Sequence, residues 1–468
     1  MTNSKYIPEE EIQRQMTLCD ALYKEIHPRH LTFFVETFGC QMKVRDSETI
    51  KGILFRAGYS ESESKETADL ILFNTCCVRD HAEKRLMGNI GALREQKEAN
   101  PALIVGICGC MMQQEGMAKK ILKRFPHVSL VFGTNVVFRL PQMLAAVLGG
   151  ERVALTNEED FAIAEGLPQL RDNVRSAFVN ITFGCNNYCT YCIVPFVRGR
   201  ERSRSMADIR TEVEALCANG ITEITLLGQN VNSYANDLEE GSFAELLTLL
   251  NDVSNLKRLR FMSSHPKDLN DDVIMAIASN SHVCHHVHLP VQSGNDTILK
   301  RMNRKYTRAQ YLEIIRKLRA AVPDIEFTTD IIVGFPGETE EMFRDTLSLV
   351  EEVGFAAAFT FAYSPRVGTA AAAMHDQVPE EVKKRRLQEL NALQVRKTVE
   401  NNAKYIGYEG EVLIEGCDVR TDETLLYGKY PNFKMVYFPG NPDRVNTYAK
   451  VRVLRPSKNS LIGEEIDG

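Results

Sequence analysis

The sequence predicts an α/β protein with an N-terminal open parallel-sheet domain, a central partial (βα)6 barrel and a C-terminal small all-β barrel. Strand and helix patterns alternate from residue 31 and again, for longer, from residue 177. From residue 403 short alternating runs are broken by Gly, Pro, Asn and Asp, which is typical of a small β-barrel. A length of 468 residues agrees with roughly three domains.

The composition indicates a folded protein with reduced thiols. Hydrophobic residues make up 44% and charged residues 25%, which excludes a disordered chain. A net charge of −6 excludes a uniformly basic nucleic-acid coat but leaves room for a local basic patch. Neither a secretory start nor an apolar run of about 20 residues is present, so we expect a cytoplasmic protein without a membrane span. Clustered cysteines in such a protein more often bind metal than form disulfides.

The N-terminal third reads as a polar, partly helical extension (1–30), a parallel-sheet domain (31–147) and a linker (148–170). Its predicted strands span 31–37, 68–75 and 102–108. Its predicted helices span 46–58, 80–99 and 115–125, the first capped by Asp46 or Ser47.

The central region (171–401) has six strand–helix repeats, too few for a complete eight-fold barrel of about 250 residues. Its predicted strands span 177–182, 221–228, 258–263, 285–291, 325–334 and 356–364. A helix over 379–402 leads to the C-terminal barrel, predicted over 404–467.

Cys185, Cys189 and Cys192 form a C-x3-C-x2-C loop directly after the first strand of the central barrel. Three thiolates can hold three irons of a [4Fe–4S] cube and leave the fourth iron open to a ligand. A structural zinc site needs four ligands, yet no other Cys or His lies between Gly184 and Arg204. The spacing therefore favours a cluster over zinc or idle thiols.

Cys40, Cys76 and Cys110 each follow a predicted strand and precede a predicted helix. In a parallel sheet all three would emerge at the carboxyl edge, where strands about 4.8 Å apart allow thiols to converge on one cluster. Three buried structural cysteines are the alternative, and Cys77 and Cys108 are competing ligands. The remaining cysteines are predicted to serve packing: Cys19, Cys217, Cys284 and Cys417.

Four arginines alternate directly after the cysteine loop: Arg198, Arg200, Arg202 and Arg204. In an extended segment they share one face and can bind RNA phosphates. A charged loop in which Glu201 pairs with one arginine is the alternative.

The cysteine loop, with Tyr191 before its last cysteine, resembles the signature of the radical S-adenosylmethionine superfamily. The resemblance implies a partial (βα)6 barrel and S-adenosylmethionine on the open iron, cleaved to a 5′-deoxyadenosyl radical. The segments LLGQNVNSY (226–234) and DIIVGFPGET (330–339) resemble the parts of that family beside this cofactor. The implied cofactor-binding residues are Tyr191, Gly228, Gln229, Asn230, Gln292, Asp330 and Gly334. Gly228 and Gly334 are also explained as ordinary turn glycines.

The segments GCQM-x3-DSE, NTC-x-VR-x-HAEKR and GCM-x-QQEG resemble the N-terminal domain of the methylthiotransferases within that superfamily. The match continues through SSHPKDL (263–269) and HLPVQSGND (288–296). It implies that Cys40, Cys76 and Cys110 hold an auxiliary [4Fe–4S] cluster. This sequence departs from the family at Lys43, where Asn is usual, and at Cys77, where Ser or Ala is common.

The C-terminal barrel resembles a TRAM domain, which implies RNA binding. Residues 404–458 hold nine Lys or Arg against seven Asp or Glu, and eight aromatic residues that can stack on unpaired bases. An ordinary β-barrel core also uses Tyr and Phe.

The methylthiotransferase resemblance implies methylthiolation at C2 of N6-isopentenyladenosine-37 in tRNA. One S-adenosylmethionine donates the methyl group and a second is the radical source. The implied partners are the tRNA anticodon loop and an electron donor such as flavodoxin or ferredoxin, and the chain is expected to be a monomer. The alternatives are a sister methylthiotransferase, which acts on threonylcarbamoyl-adenosine in tRNA or on a ribosomal protein, and an RNA-binding iron–sulfur redox sensor.

Overall fold

The computed structural model describes residues 5–77, 80–156, 161–419 and 424–466. The chain folds as two compact units. Unit 1 comprises Met1–Asp172, Phe183–Asn186 and Ile193–Arg204, and unit 2 comprises Asn173–Thr182, Asn187–Cys192 and Ser205–Gly468. No helix within the described ranges combines the length and the apolar character that crossing a membrane requires.

Unit 1 is built on a six-stranded sheet in which every neighbouring pair is parallel. Its strands are β1 (Thr32–Thr37), β2 (Ser60–Glu61), β3 (Leu70–Thr75), β4 (Ile104–Gly109), β5 (Leu130–Phe132) and β6 (Val153–Leu155). They run in the order β2-β1-β3-β4-β5-β6. The central strands β3 and β4 are wholly buried, as expected for a sheet covered on both faces.

Five helices cover this sheet. They are α1 (Glu9–Ile26), α2 (Gln41–Arg56), α3 (Asp80–Ala99), α4 (Met117–Arg124) and α5 (Leu140–Leu148). The helix predicted over 46–58 begins five residues earlier, because Cys40 rather than Asp46 or Ser47 occupies its N-cap position. The Asp46 carboxylate instead binds two buried cations, which we describe below.

Two segments that the sequence predicted as a polar, partly helical extension and a linker take part in the core of unit 1. The extension predicted over 1–30 contains α1, which buries Ile12, Met16 and Leu22 in the same apolar cluster as strand β1. The linker predicted over 148–170 contains β6, which pairs with β5 at the sheet edge. Residues 157–160 of that linker lie outside the described part of the chain.

Unit 2 contains six parallel strands, which confirms the predicted (βα)6 arrangement. They are β7 (Ser176–Asn180), β10 (Glu223–Leu227), β11 (Arg258–Phe261), β12 (His286–His288), β13 (Glu326–Val333) and β14 (Ala357–Ala362). Short elements that lie between β7 and β10 in the chain are β8 (Thr182–Phe183), α6 (Val194–Arg198) and β9 (Arg202–Ser203), of which α6 and β9 belong to unit 1. A backbone bridge between Leu259 and Val283 connects the sheet β7-β10-β11 to the sheet β12-β13-β14.

The outer face of these strands packs against helices in one large apolar core. The helices are α7 (Met206–Ala218), α8 (Phe243–Asn251), α9 (Asp271–Ser279), α10 (Asp296–Arg301), α11 (Arg308–Ala321), α12 (Glu340–Val353) and α13 (Glu380–Ala403). Side-chain hydrogen bonds cap six of these helices, at Ser205, Ser242, Asn270, Asn295, Thr307 and Thr339.

The C-terminal part of unit 2 is a closed five-stranded barrel. Its strands are β15 (Glu409–Val419), β16 (Thr424–Lys429), β17 (Met435–Pro439), β18 (Tyr448–Pro456) and β19 (Leu461–Glu465). The strand β19 lies beyond the runs that the sequence pattern identified. It pairs with both β17 and β18 and so closes the barrel without an exposed edge.

The small barrel docks on the amino ends of the (βα)6 strands. Arg260 donates to the carbonyl oxygens of Tyr430 and Pro431, at 3.0 and 2.7 Å, while its Nε donates to the Glu223 carboxylate at 2.9 Å. The Phe433 ring stacks on His286, with ring centres 4.3 Å apart. The loop between β16 and β17 therefore closes the amino end of the larger barrel with hydrogen bonds from Arg260 and a stacked ring.

Candidate functional site

Three cysteines of unit 1 lie just past the carboxyl ends of adjacent strands. Cys40 follows β1, Cys76 follows β3 and Cys110 follows β4. The strand register places Thr37 beside Asn74 and Thr75 beside Gly109, so the three strands end at one level. Cys76 and Cys110 are buried and Cys40 is exposed. The sheet thus brings the cysteines to one edge, as the sequence predicted.

Glycine allows two of these loops to approach each other closely. At Gly39 a Cβ atom would lie 2.9 Å from the Cys76 Cβ, and the backbone φ of +151° is one that residues with a side chain rarely adopt. At Gly109, with φ +107°, a Cβ atom would lie 2.3 Å from the Thr75 carbonyl oxygen. These glycines let the Cys40 loop lie against Cys76 and let the chain turn directly into Cys110.

Buried cations surround Cys110. Arg198 donates from Nε to the Cys110 sulfur at 3.2 Å and from Nη2 to Asp46 at 3.1 Å. The wholly buried Lys43 donates to the same Asp46 oxygen at 2.6 Å. A hydrogen bond from Cys77, followed by the charges of Arg198 and Lys43, holds the pKa of Cys110 well below its usual value, against the opposing effect of burial. Because thiolates bind iron, this environment fits a cluster ligand.

Cys77 is the fourth thiol at this edge. It is buried and packs against Cys110, Ile193 and Val197. The hydrogen bond to Cys110 and burial raise the pKa of Cys77. Cys108, the other competing ligand, lies within β4 and packs in the apolar core.

Within the described ranges, no three Cys, His, Asp or Glu side chains are grouped tightly enough to hold a single metal ion. In a [4Fe–4S] cube each thiolate binds a different iron, so its ligands lie farther apart than those of a mononuclear site. The spread of Cys40, Cys76 and Cys110 over three strand ends is therefore compatible with a cluster and unlike a mononuclear site.

The cysteines of the C-x3-C-x2-C loop belong to both units, and each is held within its own unit. In unit 1 the Cys185 amide donates to the Gly199 carbonyl oxygen at 3.2 Å. In unit 2 the Cys192 amide donates to the Cys189 carbonyl oxygen at 2.9 Å. Arg304 donates to the Cys189 sulfur at 3.4 Å, so a buried guanidinium lies directly against this cysteine.

Tyr191 is fixed from both sides in unit 2. The neighbouring Thr190 donates through its amide to the Met302 carbonyl oxygen and through its hydroxyl to that of Arg301. The Tyr191 ring packs against an apolar cluster that includes Phe335 and Tyr363. Burial raises the pKa of its phenol well above the usual value. The ring is therefore a rigid, neutral surface beside two cysteines of the loop.

Two residues predicted to contact S-adenosylmethionine carry buried polar atoms without a partner among the described residues. They are the Asn230 Oδ1 and the Gln292 Oε1. The Asn230 amide group donates to Asp268 at 2.6 Å, and the Gln292 backbone, at φ +69°, pairs with strand β13 at Asp330 and Ile332. A buried acceptor that lacks a donor costs free energy, so both sites fit a ligand that donates hydrogen bonds, such as an ammonium or adenine amino group.

The other predicted cofactor residues lie at the same carboxyl end of the barrel. Gly228 and Gln229 follow β10, and Gly334 follows β13. Gly334 has φ +69°, its amide donates to Glu338 at 2.7 Å, and a Cβ atom would lie 2.4 Å from Lys383. Asp330 lies on the inner face of the barrel, 3.6 Å from the Nε2 of His288. The turn geometry alone explains Gly334, whereas Asp330 is placed to contact a ligand.

The arginines that follow the cysteine loop do not form one exposed face. Arg198 is buried at Cys110, and the buried Arg204 makes an ion pair with Glu165 at 2.5 Å. Arg202 is half-buried, donates to the Arg200 carbonyl oxygen and lies over the Phe161 ring. Of the four, Arg200 is exposed to solvent. The chain is helical at Arg198 and extended at Arg202, so the period-two alternation does not persist.

Curated relatives match this chain over nearly its whole length. A tRNA-2-methylthio-N(6)-dimethylallyladenosine synthase of Clostridium perfringens is 51% identical over 438 residues, which cover 93% of this chain and 98% of the relative. The protein of the same name from Thermoanaerobacter pseudethanolicus is 47% identical over 469 residues, which cover 100% of this chain and 99% of the relative. The chain belongs to the tRNA-2-methylthio-N(6)-dimethylallyladenosine synthase family.

Three family models match within this synthase-family chain. The radical SAM superfamily model matches residues 179–350, the uncharacterized protein family UPF0004 model matches 32–133, and the TRAM domain model matches 403–466. The auxiliary cysteines lie in the second of these matches, and the C-x3-C-x2-C loop lies in the first.

Solved structures share the fold at low identity. A radical S-adenosylmethionine methyltransferase from Kitasatospora setae, TsrM, solved with cobalamin and a [4Fe–4S] cluster, has a TM-score of 0.53 at 15% identity, covering 73% of this chain and 77% of its own. A second structure of TsrM, with tryptophan and a SAM analogue, has a TM-score of 0.54. The match covers 84% of this chain and 79% of the TsrM chain. The likeness supports the α/β fold of this family member.

The sequence did not reveal several residues that shape these sites. Arg304 reaches Cys189 from 115 positions away in the chain, and Asp46 links Lys43 to Arg198. Lys43 could have indicated the role of Asp46, because a cation that is buried near a cluster cysteine needs a carboxylate partner. No comparable signal marks Arg304, whose role depends on the closure of the barrel.

Proposed function

We propose that this chain is a radical S-adenosylmethionine methylthiotransferase that attaches a methylthio group at C2 of N6-isopentenyladenosine-37 in tRNA. The observation that carries the proposal is the pair of cysteine sets in a chain about half identical to the named synthases. One set lies at the ends of β1, β3 and β4, and the other forms the C-x3-C-x2-C loop.

We assign each cysteine set to one [4Fe–4S] cluster. Cys185, Cys189 and Cys192 would hold the cluster that binds S-adenosylmethionine. Cys40, Cys76 and Cys110 would hold the auxiliary cluster, which serves sulfur transfer. When bound, the first cluster and its S-adenosylmethionine supply the 5′-deoxyadenosyl radical that removes the unreactive C2 hydrogen, while a second S-adenosylmethionine supplies the methyl group.

The protein's own side chains stabilise the cluster thiolates and offer hydrogen-bond acceptors to S-adenosylmethionine. Arg304 stabilises the thiolate of Cys189, and Arg198 stabilises that of Cys110, each through a hydrogen bond to sulfur. Asn230 and Gln292 present acceptors to the donors of S-adenosylmethionine, and the Tyr191 ring is rigid enough to pack on an adenine. These contacts support a cofactor site at the carboxyl end of the barrel.

The proposed RNA contacts involve fewer arginines than the sequence suggested. The exposed Arg200 can reach a phosphate, whereas Arg198, Arg202 and Arg204 are bound within unit 1. The TRAM-like barrel supplies the second contact, with the tRNA anticodon loop as its partner. A flavodoxin or ferredoxin would deliver the electron. Twelve free cysteines fit a reducing compartment such as the cytoplasm, and we expect the enzyme to act there as a monomer.

A purified-enzyme experiment tests this function. The anaerobically reconstituted enzyme is incubated with S-adenosylmethionine, dithionite, a sulfur source and an anticodon stem-loop that carries isopentenyladenosine. We expect 5′-deoxyadenosine together with a 2-methylthio nucleoside, and neither product from Cys185→Ala. Exclusive methylthiolation of a threonylcarbamoyl-adenosine RNA would instead identify a sister enzyme, and the absence of 5′-deoxyadenosine would favour a redox sensor.

A further inference from the structure

Two large aromatic side chains are exposed on the last strand of the partial barrel. Phe359 and Phe361 of β14 retain 49% and 41% of their surface, although they lie on a strand of the barrel wall. The outer faces of the neighbouring strands are fully buried under helices. An exposed pair of phenyl rings beside a reaction site indicates a binding surface more often than incomplete packing.

Both rings face the inside of the barrel. The register pairs Phe359 with Asp330 and Phe361 with Ile332, and directly paired residues of parallel strands point to the same side. The alternate residues of β13, Ile331 and Val333, pack in the core with the helices. The phenyl rings therefore lie on the face opposite to the helices, along the open edge of the six-stranded barrel.

Their neighbours connect the two rings to the predicted cofactor site. The Phe359 ring lies edge-on to His288, with ring centres 5.8 Å apart, and His288 in turn lies 3.6 Å from Asp330. Ile332, beside Phe361, packs against the same apolar cluster as Tyr191 of the cysteine loop. A ligand on the phenyl rings would thus lie next to the residues assigned to S-adenosylmethionine.

We propose that Phe359 and Phe361 form the platform that receives the target base, an adenine carrying an apolar branched chain on N6. The proposal rests on the function proposed above and names the specificity determinant of that site. A phenyl ring can stack on the purine face and contact the isopentenyl methyl groups. The Asp330 carboxylate beside the platform repels the negative charge of a threonylcarbamoyl group, so the surface selects the apolar modification.

The test compares Phe359→Ala and Phe361→Ala holoenzymes on two stem-loops that differ only in whether the target adenosine carries the isopentenyl group. For each variant, kcat/KM on the isopentenylated RNA should fall about tenfold to a hundredfold, mainly through KM, and the preference over the unmodified RNA should fall with it. The dissociation constant for S-adenosylmethionine should match that of the wild type. Met275→Ala, which shortens an exposed side chain on α9, is the matched control and should keep wild-type kinetics.

The outcomes separate this inference from the function on which it rests. If the wild type shows no preference for the isopentenylated RNA, the proposed function fails. If the wild type shows the preference and both alanine variants keep it, the platform assignment fails. If the alanine variants bind S-adenosylmethionine more weakly but keep the RNA preference, the rings belong to the cofactor site. That result would also overturn the platform assignment. Phe361→Leu, which keeps apolar bulk, should retain most of the preference, and its behaving like Phe361→Ala would contradict an apolar contact.

Discussion

Arg198 donates a hydrogen bond from Nε to the Cys110 sulfur across 3.2 Å, and its Nη2 binds Asp46 on the other side. Lys43 binds the same Asp46 oxygen, so one carboxylate lies between two buried cations beside a proposed cluster ligand. Asp46 is therefore the residue that allows this chain to bury both Lys43 and Arg198 at the auxiliary site.

We expect Asp46→Asn to be strongly destabilising, because it leaves Lys43 and Arg198 buried without their shared anion. The loss should be about 3–5 kcal/mol of unfolding free energy. Denaturant unfolding measures it, and the electron paramagnetic resonance signal of the reduced auxiliary cluster should change as well. Asp20→Asn is the matched control, because it breaks the exposed pair of Asp20 with Arg56 and should cost at most about 1 kcal/mol. Equal losses in the two variants would contradict the buried network.

The two cysteine sets should separate in their effects on iron and on catalysis. The reconstituted enzyme should carry about eight irons, and variants in either set should retain about four. Cys76→Ala should still cleave S-adenosylmethionine but transfer no sulfur, whereas Cys189→Ala should lose cleavage altogether. Cys217→Ala, in the packed core of unit 2, is the control and should keep both clusters. Wild-type enzyme that saturates at about four irons, or that binds zinc, would refute the two-cluster assignment.

The ion pairs of Glu223 should support docking of the TRAM-like barrel, because they orient Arg258 and Arg260. Both arginines donate hydrogen bonds to backbone carbonyl oxygens of that barrel. Burial raises the pKa of this carboxyl, but Arg260 and Arg258 outweigh burial and lower it overall. Glu223→Gln leaves two buried guanidinium groups without an anion and should cost about 3–5 kcal/mol. Limited proteolysis should then release the C-terminal barrel, since the linking region becomes accessible when docking weakens.

Lys257→Ala is the control for the Glu223 variant. It removes a half-exposed pair with Glu411 at the same interface and should change stability by at most about 1 kcal/mol. If Glu223→Gln resists protease as well as Lys257→Ala does, the buried ion pairs do not hold the two barrels together.

His265 should make the protein sensitive to acid. Burial, aided by the positive charges of Arg304 and Lys267, lowers the pKa of this histidine to about 2, while the unfolded chain has the ordinary value near 6.5. The contribution of His265 to the free energy of unfolding is therefore fully present above about pH 6.5. It falls as the pH drops below that value, because only the unfolded state takes up the proton.

The measurement compares wild type with His265→Asn from pH 7 to pH 4.5. Asn keeps the cap that the His265 Nδ1 provides to the Lys267 amide but does not titrate in this range. The wild type should lose about 2–3 kcal/mol more than the variant over this interval. Parallel pH profiles for the two proteins would show that His265 titrates normally in the fold.

The sequence pattern predicted the elements whose signal is local. The apolar runs that became β3, β4 and β13 were identified within two residues, and the positions of Cys76 and Cys110 at the ends of β3 and β4 followed from them. The start of α2 was missed, because Asp46 is a good capping residue whose carboxylate is taken by Lys43 and Arg198 instead. Such competition is decided by tertiary contacts.

Tertiary contacts also explain the other features that the sequence did not predict. Alternation at period two predicted one arginine face after the cysteine loop, but a single helical turn at Arg198 and the pull of Asp46 and Glu165 placed two of the four side chains inside. The alternation in β14 predicted a strand, yet which face meets solvent depends on the barrel staying open at that edge. Phe359 and Phe361 therefore emerged as a surface only in three dimensions.

Nucleoside mass analysis of tRNA from a strain that lacks this gene, with and without the gene restored, tests the proposed function. We expect 2-methylthio-N6-isopentenyladenosine to disappear and N6-isopentenyladenosine to accumulate in its place. Wild-type protein, but not Cys40→Ala or Cys185→Ala, should restore the methylthio form. Unchanged 2-methylthio-N6-isopentenyladenosine in the deletion strain, or loss of a different modification, would contradict it.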